Sequence, residues 1–530
     1  MATIEFLRTS ADEVLNQAPP FPEANLFELD LALQEGLARA DADWGTARVR
    51  DIGALAGSKE AREHARRAEL HPPQLHTHDS VGHRIDEVEC NPSWHWLLAA
   101  GVQRGVSSLP WTDRRPDAHA VRAALGYLWG QLNTGVMCPM IMTFAAVPVL
   151  QRFAPADIAE KWVPRLTLAD YQAGALAGQA FTERQGGSDV RRITTTAVPA
   201  GDGSWVLDGH KWFCSAPMCD VFLTIAKTPA GLSCFLVERG DGFRIVRLKD
   251  KLGTRSLPSA EIEFCGARGW LVGEDGRGMI PLIHNLSHAR LGPAVSPEMR
   301  AALVQAIHHC QHRSAFGERL IDQPAMANVL ADLAIESEGQ TAALMYLSAR
   351  GDRSPMNRIA GTVMGYWGCG RATGHIAEAM QCLGGNGYSE ASGLPRLLRD
   401  AAVHPIWEGS GNVVALDILR VAAKEPEAIT AFLDECAVAR GADRRLDEHL
   451  DTLPTKLAAL AKSTDPQAGA RRMVEDLAVG FIASLLVRFS TAAVADAYCA
   501  GRLGPDRGLA YGTLPAGVDT RAIIDRALPG

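Results

Sequence analysis

No pair of cysteines in this chain stands at CxxC spacing. The eleven cysteines are scattered from Cys90 to Cys499. An odd number without pattern argues against a secreted disulfide framework and for reduced, mostly buried thiols in a cytoplasmic protein. Positive charge is not in excess. Fifty-three Lys and Arg face 61 Asp and Glu, a net of −8, so no whole-chain attraction to nucleic acid or anionic lipid is built in. The most apolar late stretch, Ala478–Val487, stops at Arg488; a bilayer span takes about 20 residues, so no membrane partner is expected. The opening MATIEFLRTSADEV has an acid at Glu5 and no apolar core, so it is not expected to act as a signal peptide. Three signatures are missing. There is no GxxxxGK(S/T) loop and no GxSxG elbow, and the cluster Gly384–Gly387 fails the GxGxxG spacing, against an ATPase, an α/β hydrolase and a Rossmann dinucleotide fold. His308 and His312 stand at i,i+4, and four histidines crowd 71–83. Neither group has a carboxylate or thiol at zinc spacing, so no metal is expected.

What is present is an ordinary globular composition, 47% hydrophobic and 22% charged over 530 residues, enough for several domains with sizeable cores. Up to about residue 178 the pattern is helical. Leu26–Arg39 and Pro116–Leu132 carry apolar residues at three-to-four spacing, and Cys138–Leu150 is nearly all apolar and expected to be buried. His71–His83, rich in proline and polar residues, reads as a loop. Beyond Gly178 short runs alternate with Asp-Gly and Gly-Asp-Gly turns: 204–207, 211–215, 221–226, 233–237, 243–248 and 260–264. Strands at that spacing predict a compact antiparallel sheet or barrel. Helical patterning returns at Met279. The charged stretch Arg440–Asp451 is a plausible boundary before a last helical segment. Helices, then strands, then helices is not alternating βαβ.

Five short segments could carry chemistry. Phe181–Val190 (FTERQGGSDV) lies where helices give way to strands and offers Thr182, Ser188 and two glycines that let backbone N–H groups approach a ligand. Gly209–Ser215 (GHKWFCS) sets Trp212 and Phe213 beside a strand ending in Ser215. In Arg313–Gln323 (RSAFGERLIDQ) a helix breaks at Gly317, with Arg313 available for a phosphate. Gln381–Tyr388 (QCLGGNGY) follows a helix. In Pro405–Asn412 (PIWEGSGN), Glu408 sits between Trp407 and Gly409 with no adjacent cation. A carboxylate against an aromatic ring has a raised pKa, which suits a general base. Taken singly, each segment reads as readily as a polar loop, a core strand, a helix end, a C-cap or a turn acid.

Together and in this order, the five segments resemble the acyl-CoA dehydrogenase family and, within it, the adaptive-response, AidB-like branch. The resemblance extends to non-catalytic stretches: Asn25–Asp30 (NLFELD), Cys138–Leu150, Gly231–Phe235 (GLSCF), Leu248–Arg255 (LKDKLGTR) and Leu416–Val421. It implies an α+β fold: an N-terminal helical domain (1–178), a central antiparallel β-barrel domain (179–278), a C-terminal helical bundle (279–435) and an appended helical extension (436–530).

The resemblance further implies FAD as cofactor. Phe181, Thr182 and Ser188 would line the flavin, Phe213 and Ser215 would pack on its face, and Ile406, Trp407, Gly409, Ser410 and Asn412 would cover it. Arg313, Phe316, Gln323, Gln381, Gly384 and Gly385 would hold the dinucleotide end of a neighbouring subunit's FAD, which implies a homo-oligomer, a tetramer. Glu408 would take the α-proton of a short or branched acyl-CoA while a hydride passes to the flavin. Electron-transfer flavoprotein is the candidate acceptor. Members with the base on a helix before an arginine match Ala289–Arg290 here, and alanine is no base. The alternative is a DNA-associated protective flavoprotein of the alkylation response with weak dehydrogenase activity. The tail speaks against it: residues 440–530 hold 12 Lys and Arg against 11 Asp and Glu. Phosphate contacts drive non-specific DNA affinity, so weak binding is expected.

Overall fold

In the computed structural model, residues 14–289, 295–351, 355–407 and 409–529 are described. Eight helices and a hairpin come first: α1 Leu31–Arg39, α2 Thr46–Ala56, α3 Lys59–Leu70, strands β1 Gln74–His78 and β2 Arg84–Glu89, then α4 Pro92–Gln103, α5 Leu109–Thr112, α6 Ala118–Gly130, α7 Thr134–Phe153 and α8 Ala156–Leu166. Polar caps start several of them. Asp30, Ser58 and Asn133 each accept a backbone N–H of the first turn of α1, α3 and α7. Among the described residues, α7 alone has the length and hydropathy to cross a bilayer, but most of it is buried inside the protein. There it packs on α4, α8 and strand Ala177–Ala180.

The segment expected to be a loop, His71–His83, instead forms most of the β1–β2 hairpin. Its tip is set by Asp79, which accepts N–H groups of Val81 and His83, and by Gly82 at φ +94°. Half-buried Leu75 pairs with half-buried Val88. The alternation is diluted by histidines, so the strand signal is weak in sequence.

Seven strands follow: β3 Ala177–Ala180, β4 Thr196–Pro199, β5 Trp205–Ser215, β6 Val221–Thr228, β7 Gly231–Glu238, β8 Phe243–Leu248 and β9 Ser259–Val272. Six of them pair in the order β3-β6-β4-β5-β9-β7, β8 pairs with β9, and a β6–β7 ladder closes the order into a barrel. Most pairs are antiparallel, but β3 and β4 each run parallel to β6. Two expected strands, 204–207 and 211–215, are one long β5 whose register against β9 slips between Lys211 and Cys214. That bulge turns Trp212 and Phe213 outward.

The second helical part comprises α9 Met279–Ala289, α10 Ser296–His312, α11 Pro324–Arg350, α12 Pro355–Cys382, α13 Leu394–Ala401, α14 His404–Trp407, α15 Gly411–Lys424 and α16 Pro426–Ala437. Between α10 and α11 runs a two-residue-strand hairpin, β10 Ser314–Ala315 and β11 Glu318–Arg319. The charged stretch expected as a boundary runs into helix α17 Arg444–Ala461, capped by Asp443. After it come α18 Ala470–Phe489, α19 Ala492–Leu503 and α20 Thr520–Ala527. Buried residues of α17–α20, among them Phe481, Leu485 and Tyr498, share one hydrophobic cluster with Leu330, Ile335 and Ile359 of α11 and α12. The extension is therefore part of the bundle's core. Buried polar groups tie the two helical parts together: Arg300 of α10 meets Asp30 at 3.1 Å, and the Thr341 hydroxyl of α11 donates to the Tyr127 hydroxyl at 3.2 Å, which in turn donates to Asp30.

Candidate active site

A cavity of about 620 Å³ opens where the two helical parts meet. Thr134, Met137, Cys138 and Ile141 of α7 form one wall. Glu298, Gln340, Leu344 and Gly361 come from α10, α11 and α12, and Trp407, Gly409 and Ser410 lie along its edge. Glu408 lies outside the described residues, but both of its chain neighbours line this cavity. Ala289 lines it as well, with no acid to offer; Arg290 lies outside the described residues. Ser410 and Asn412 are exposed, and so is Ile406, at 66%. The appended helix α18 also reaches the cavity. Arg471 lines it and donates Nε to Asn412 Oδ1 at 2.8 Å, so the extension braces the turn that follows Gly409.

Along one wall the polar groups are buried. Glu298 Oε1 accepts from the Thr134 hydroxyl and lies 3.0 Å from His404 Nε2. Nearby, burial and then the Glu69 carboxylate push Asp400 up to about 7, while burial pulls Lys251 down to about 8. None of these residues stands in a local motif. They come from positions 134, 298, 340, 404 and 471, brought together only by helix packing, and sequence reading missed them.

The segment 181–188 is anchored from beneath. Glu183 and Lys211 have fully buried side chains 2.9 Å apart. Thr194 and Thr195 donate to the same carboxylate, and Lys211 also donates to the Ile225 carbonyl. Burial by itself would raise the Glu183 pKa, but the Lys211 ammonium and these hydrogen bonds hold it at about 2. The loop is tight: a Cβ on Gly187 would lie 2.9 Å from Thr182 Oγ1. The Trp212 N–H donates to the Thr182 carbonyl at 2.8 Å, which seats the loop beside the β5 bulge. The half-buried Phe181 ring packs against Ile193 and Leu282, so part of its role is in the core. Thr182 and Ser215 are half-buried and Ser188 is exposed. Phe213 is half exposed, with the Lys249 ammonium 4.8 Å from its ring.

Arg313, Phe316 and Gln323 follow the end of α10, and Gln381, Gly384 and Gly385 lie at the end of α12, where Cys310 approaches the Cys382 carbonyl. Asn16 bridges to Ser314 and Arg313, and Asn386 donates to Gln17. The expected helix break is the β10–β11 hairpin, whose tip residues Phe316 and Gly317 both have positive φ, 55° and 89°. The turn holds the Phe316 ring fully exposed, and Tyr388 is 82% exposed. Gln323 donates to the Ala315 carbonyl and Gln381 to Glu378. A Cβ on Gly384 or Gly385 would meet nothing within 4 Å. Among the described residues no hydrogen bond or ion pair joins this end to the 181–188 loop.

Residues 16–173 match the model of the adaptive response protein AidB N-terminal domain, 178–267 the acyl-CoA dehydrogenase middle domain and 276–423 the acyl-CoA dehydrogenase C-terminal domain. AidB of Escherichia coli (strain K12) is 37% identical over 509 residues, 92% of this chain and 93% of that protein. The chain belongs to the acyl-CoA dehydrogenase family. The crystal structure of Caenorhabditis elegans ACDH-11 in complex with C11-CoA matches with a TM-score of 0.85 at 28% identity, covering 99% of this chain and 98% of that one. PigA, solved with FAD and proline, shares the fold with a TM-score of 0.60 at 20% identity, covering 72% of this chain and 97% of that one.

The residues present fit a flat dinucleotide. Phe213, Phe316, Tyr388 and Ile406 are large exposed side chains, and they lie in segments the family resemblance assigns to FAD, the first and last at the flavin and the other two at the dinucleotide end. The open faces of Gly384 and Gly385 leave room for a ligand to approach the backbone.

Proposed function

We propose that this protein is an FAD-dependent oxidoreductase converting a short or branched acyl-CoA thioester to the 2,3-enoyl-CoA. The observation that carries the reading is the cavity edged by Trp407 and Gly409, which puts the turn bearing Glu408 at a largely apolar chamber of acyl size. Glu408 is the base that removes the α-proton. A carboxylate next to Trp407 in the chain, at the edge of a largely apolar cavity, suits a general base. FAD, when bound, accepts the β-hydride. Thr182, Ser188, Phe213 and Ser215 hold the ring end, with Ile406, Trp407, Gly409, Ser410 and Asn412 covering it. Arg313, Phe316, Gln323, Gln381, Gly384 and Gly385 hold the dinucleotide end of a second subunit's cofactor. The separation of the two sets in one chain supports a homo-oligomer, which we take to be a tetramer, working in the cytoplasm with an electron-transfer flavoprotein as acceptor.

Anaerobic titration of the yellow protein with a panel of acyl-CoAs tests this. Bleaching of the flavin is expected with wild type. Glu408→Gln, which keeps the shape of the side chain, should slow it by at least ~10²-fold with FAD retained. A panel that bleaches nothing, or a variant that bleaches at the wild-type rate, would refute the assignment.

A further inference from the structure

Two buried polar atoms in the cavity wall have no hydrogen-bond partner among the described residues. Glu298 on α10 is 1% exposed. Its Oε1 is engaged by Thr134 and His404, while its Oε2 meets no donor. Gln340 on α11 is 5% exposed, and its Nε2 meets no acceptor. Both residues line the cavity, with the two unpartnered atoms themselves covered just beneath its surface. By contrast, Glu336, one turn before Gln340 on the same helix, is fully engaged: Trp367 donates to Oε1 at 2.9 Å and Arg502 to Oε2 at 3.0 Å. A buried polar atom left without a partner is costly, and native proteins keep few of them without a reason.

The two deficits are complementary, an acceptor without a donor and a donor without an acceptor. A hydroxyl answers both, donating its proton to Glu298 Oε2 and accepting from Gln340 Nε2. An ammonium answers only the first and a carbonyl only the second. An alkyl chain strands both. The surrounding lining of Met137, Ile141, Ala343, Leu344 and Val414 is apolar, so the polar spot is local. His404, the partner of Glu298, shares a single helical turn with Trp407, which puts the spot on the side of the cavity where Trp407 lies. We propose that Glu298 and Gln340 form a polar subsite that selects acyl thioesters bearing a hydroxyl on the acyl chain. The proposal rests on the acyl-thioester reading above and narrows its substrate class.

The test is calorimetric binding to the holoenzyme. Three ω-hydroxyacyl-CoAs (4-hydroxybutanoyl, 5-hydroxypentanoyl and 6-hydroxyhexanoyl) are each compared with the alkanoyl-CoA in which a methyl replaces the hydroxyl. In at least one pair the hydroxyl member should bind tighter by on the order of 10²-fold. Gln340→Leu, and separately Glu298→Gln, should each cut that preference by roughly tenfold. If no pair differs by more than about threefold, or the alkyl member is favoured, water fills the spot and the proposal falls. A preference that survives both variants overturns it too. Bleaching recorded in the same titrations keeps the two readings apart. Selective binding without bleaching refutes the dehydrogenase reading alone, and bleaching without selectivity refutes the subsite alone.

Discussion

The two regions assigned to the flavin are built on opposite principles. The 181–188 loop rests on a fully buried Glu183–Lys211 pair whose hydrogen bonds are all made within the chain. The bundle end at 313–323 and 381–388 is held by surface bonds to Asn16 and Gln17, and it leaves Phe316 and Tyr388 in water. The first region is anchored by contacts within the chain, while the second shows an apolar surface that no described residue covers. A buried ion pair is weak evidence for stability, because desolvation offsets much of the attraction, but it fixes geometry when every partner is present. An exposed ring on a left-handed turn serves no local packing. One region thus encodes position, and the other offers the surface that the proposed association would cover.

The largest effect should come from breaking the buried pair. Lys211→Met strands Glu183 and should cost about 3–5 kcal/mol in denaturant unfolding, whereas replacing both partners with methionine should recover most of it. Equal losses in the single and double variants would mean that the pair does not act as a unit. On the open side, Phe316→Asp should leave the monomer's unfolding nearly unchanged. It should also weaken assembly and FAD retention by on the order of tenfold or more, read as scattering mass and flavin absorbance per chain. A full-size, fully yellow variant would contradict the assignment of that surface to a partner.

A smaller effect is the acid dependence of the closed side. Glu183 is held at about 2, below its ordinary 4.5. Its contribution is therefore present above about pH 4.5 and fades as pH falls towards 2. Wild type should lose more stability than the double-methionine variant between pH 5 and 3, and parallel losses would remove Glu183 as the cause. The smallest effect concerns DNA. Nine of the twelve basic residues in 440–530 form ion pairs within the chain, such as Arg445 with Asp443 and Asp496, and Arg472 with Asp476. Arg420 pairs with Asp417. Each phosphate contact would steepen the salt dependence by about 0.9 log units per decade. We expect weak binding with a shallow slope, and tight, steeply salt-dependent binding near physiological salt would restore the protective reading.

Much of the architecture was legible in residue patterns. Three-to-four spacing gave the helices of the N-terminal part, and Gly-Asp turns between apolar runs gave the barrel strands. The nearly all-apolar Cys138–Leu150 fell inside α7, buried as expected. Patterns failed where local signals were thin or misread. The β1–β2 hairpin is rich in histidine and its alternation is weak. The charges of 440–451 read as a boundary, and their pattern does not tell that from Arg444 on they lie on helix α17, whose Leu446 and Leu450 are buried.

The sequence by itself determined the kind of residue available at each point: hydroxyls and glycines in 181–188, an aromatic pair before Ser215, an acid after Trp407. These are local choices, and local spacing records them. Tertiary structure alone decided which distant groups share one space. It set Arg471 of the extension against Asn412, placed Glu183 under the 181–188 loop on Lys211, and brought Glu298 and Gln340, each with an unanswered polar atom among the described residues, to the wall of one cavity. The cause is helix packing. Positions more than a hundred residues apart become neighbours only when buried apolar faces set how helices cross, and no spacing along the chain carries that information.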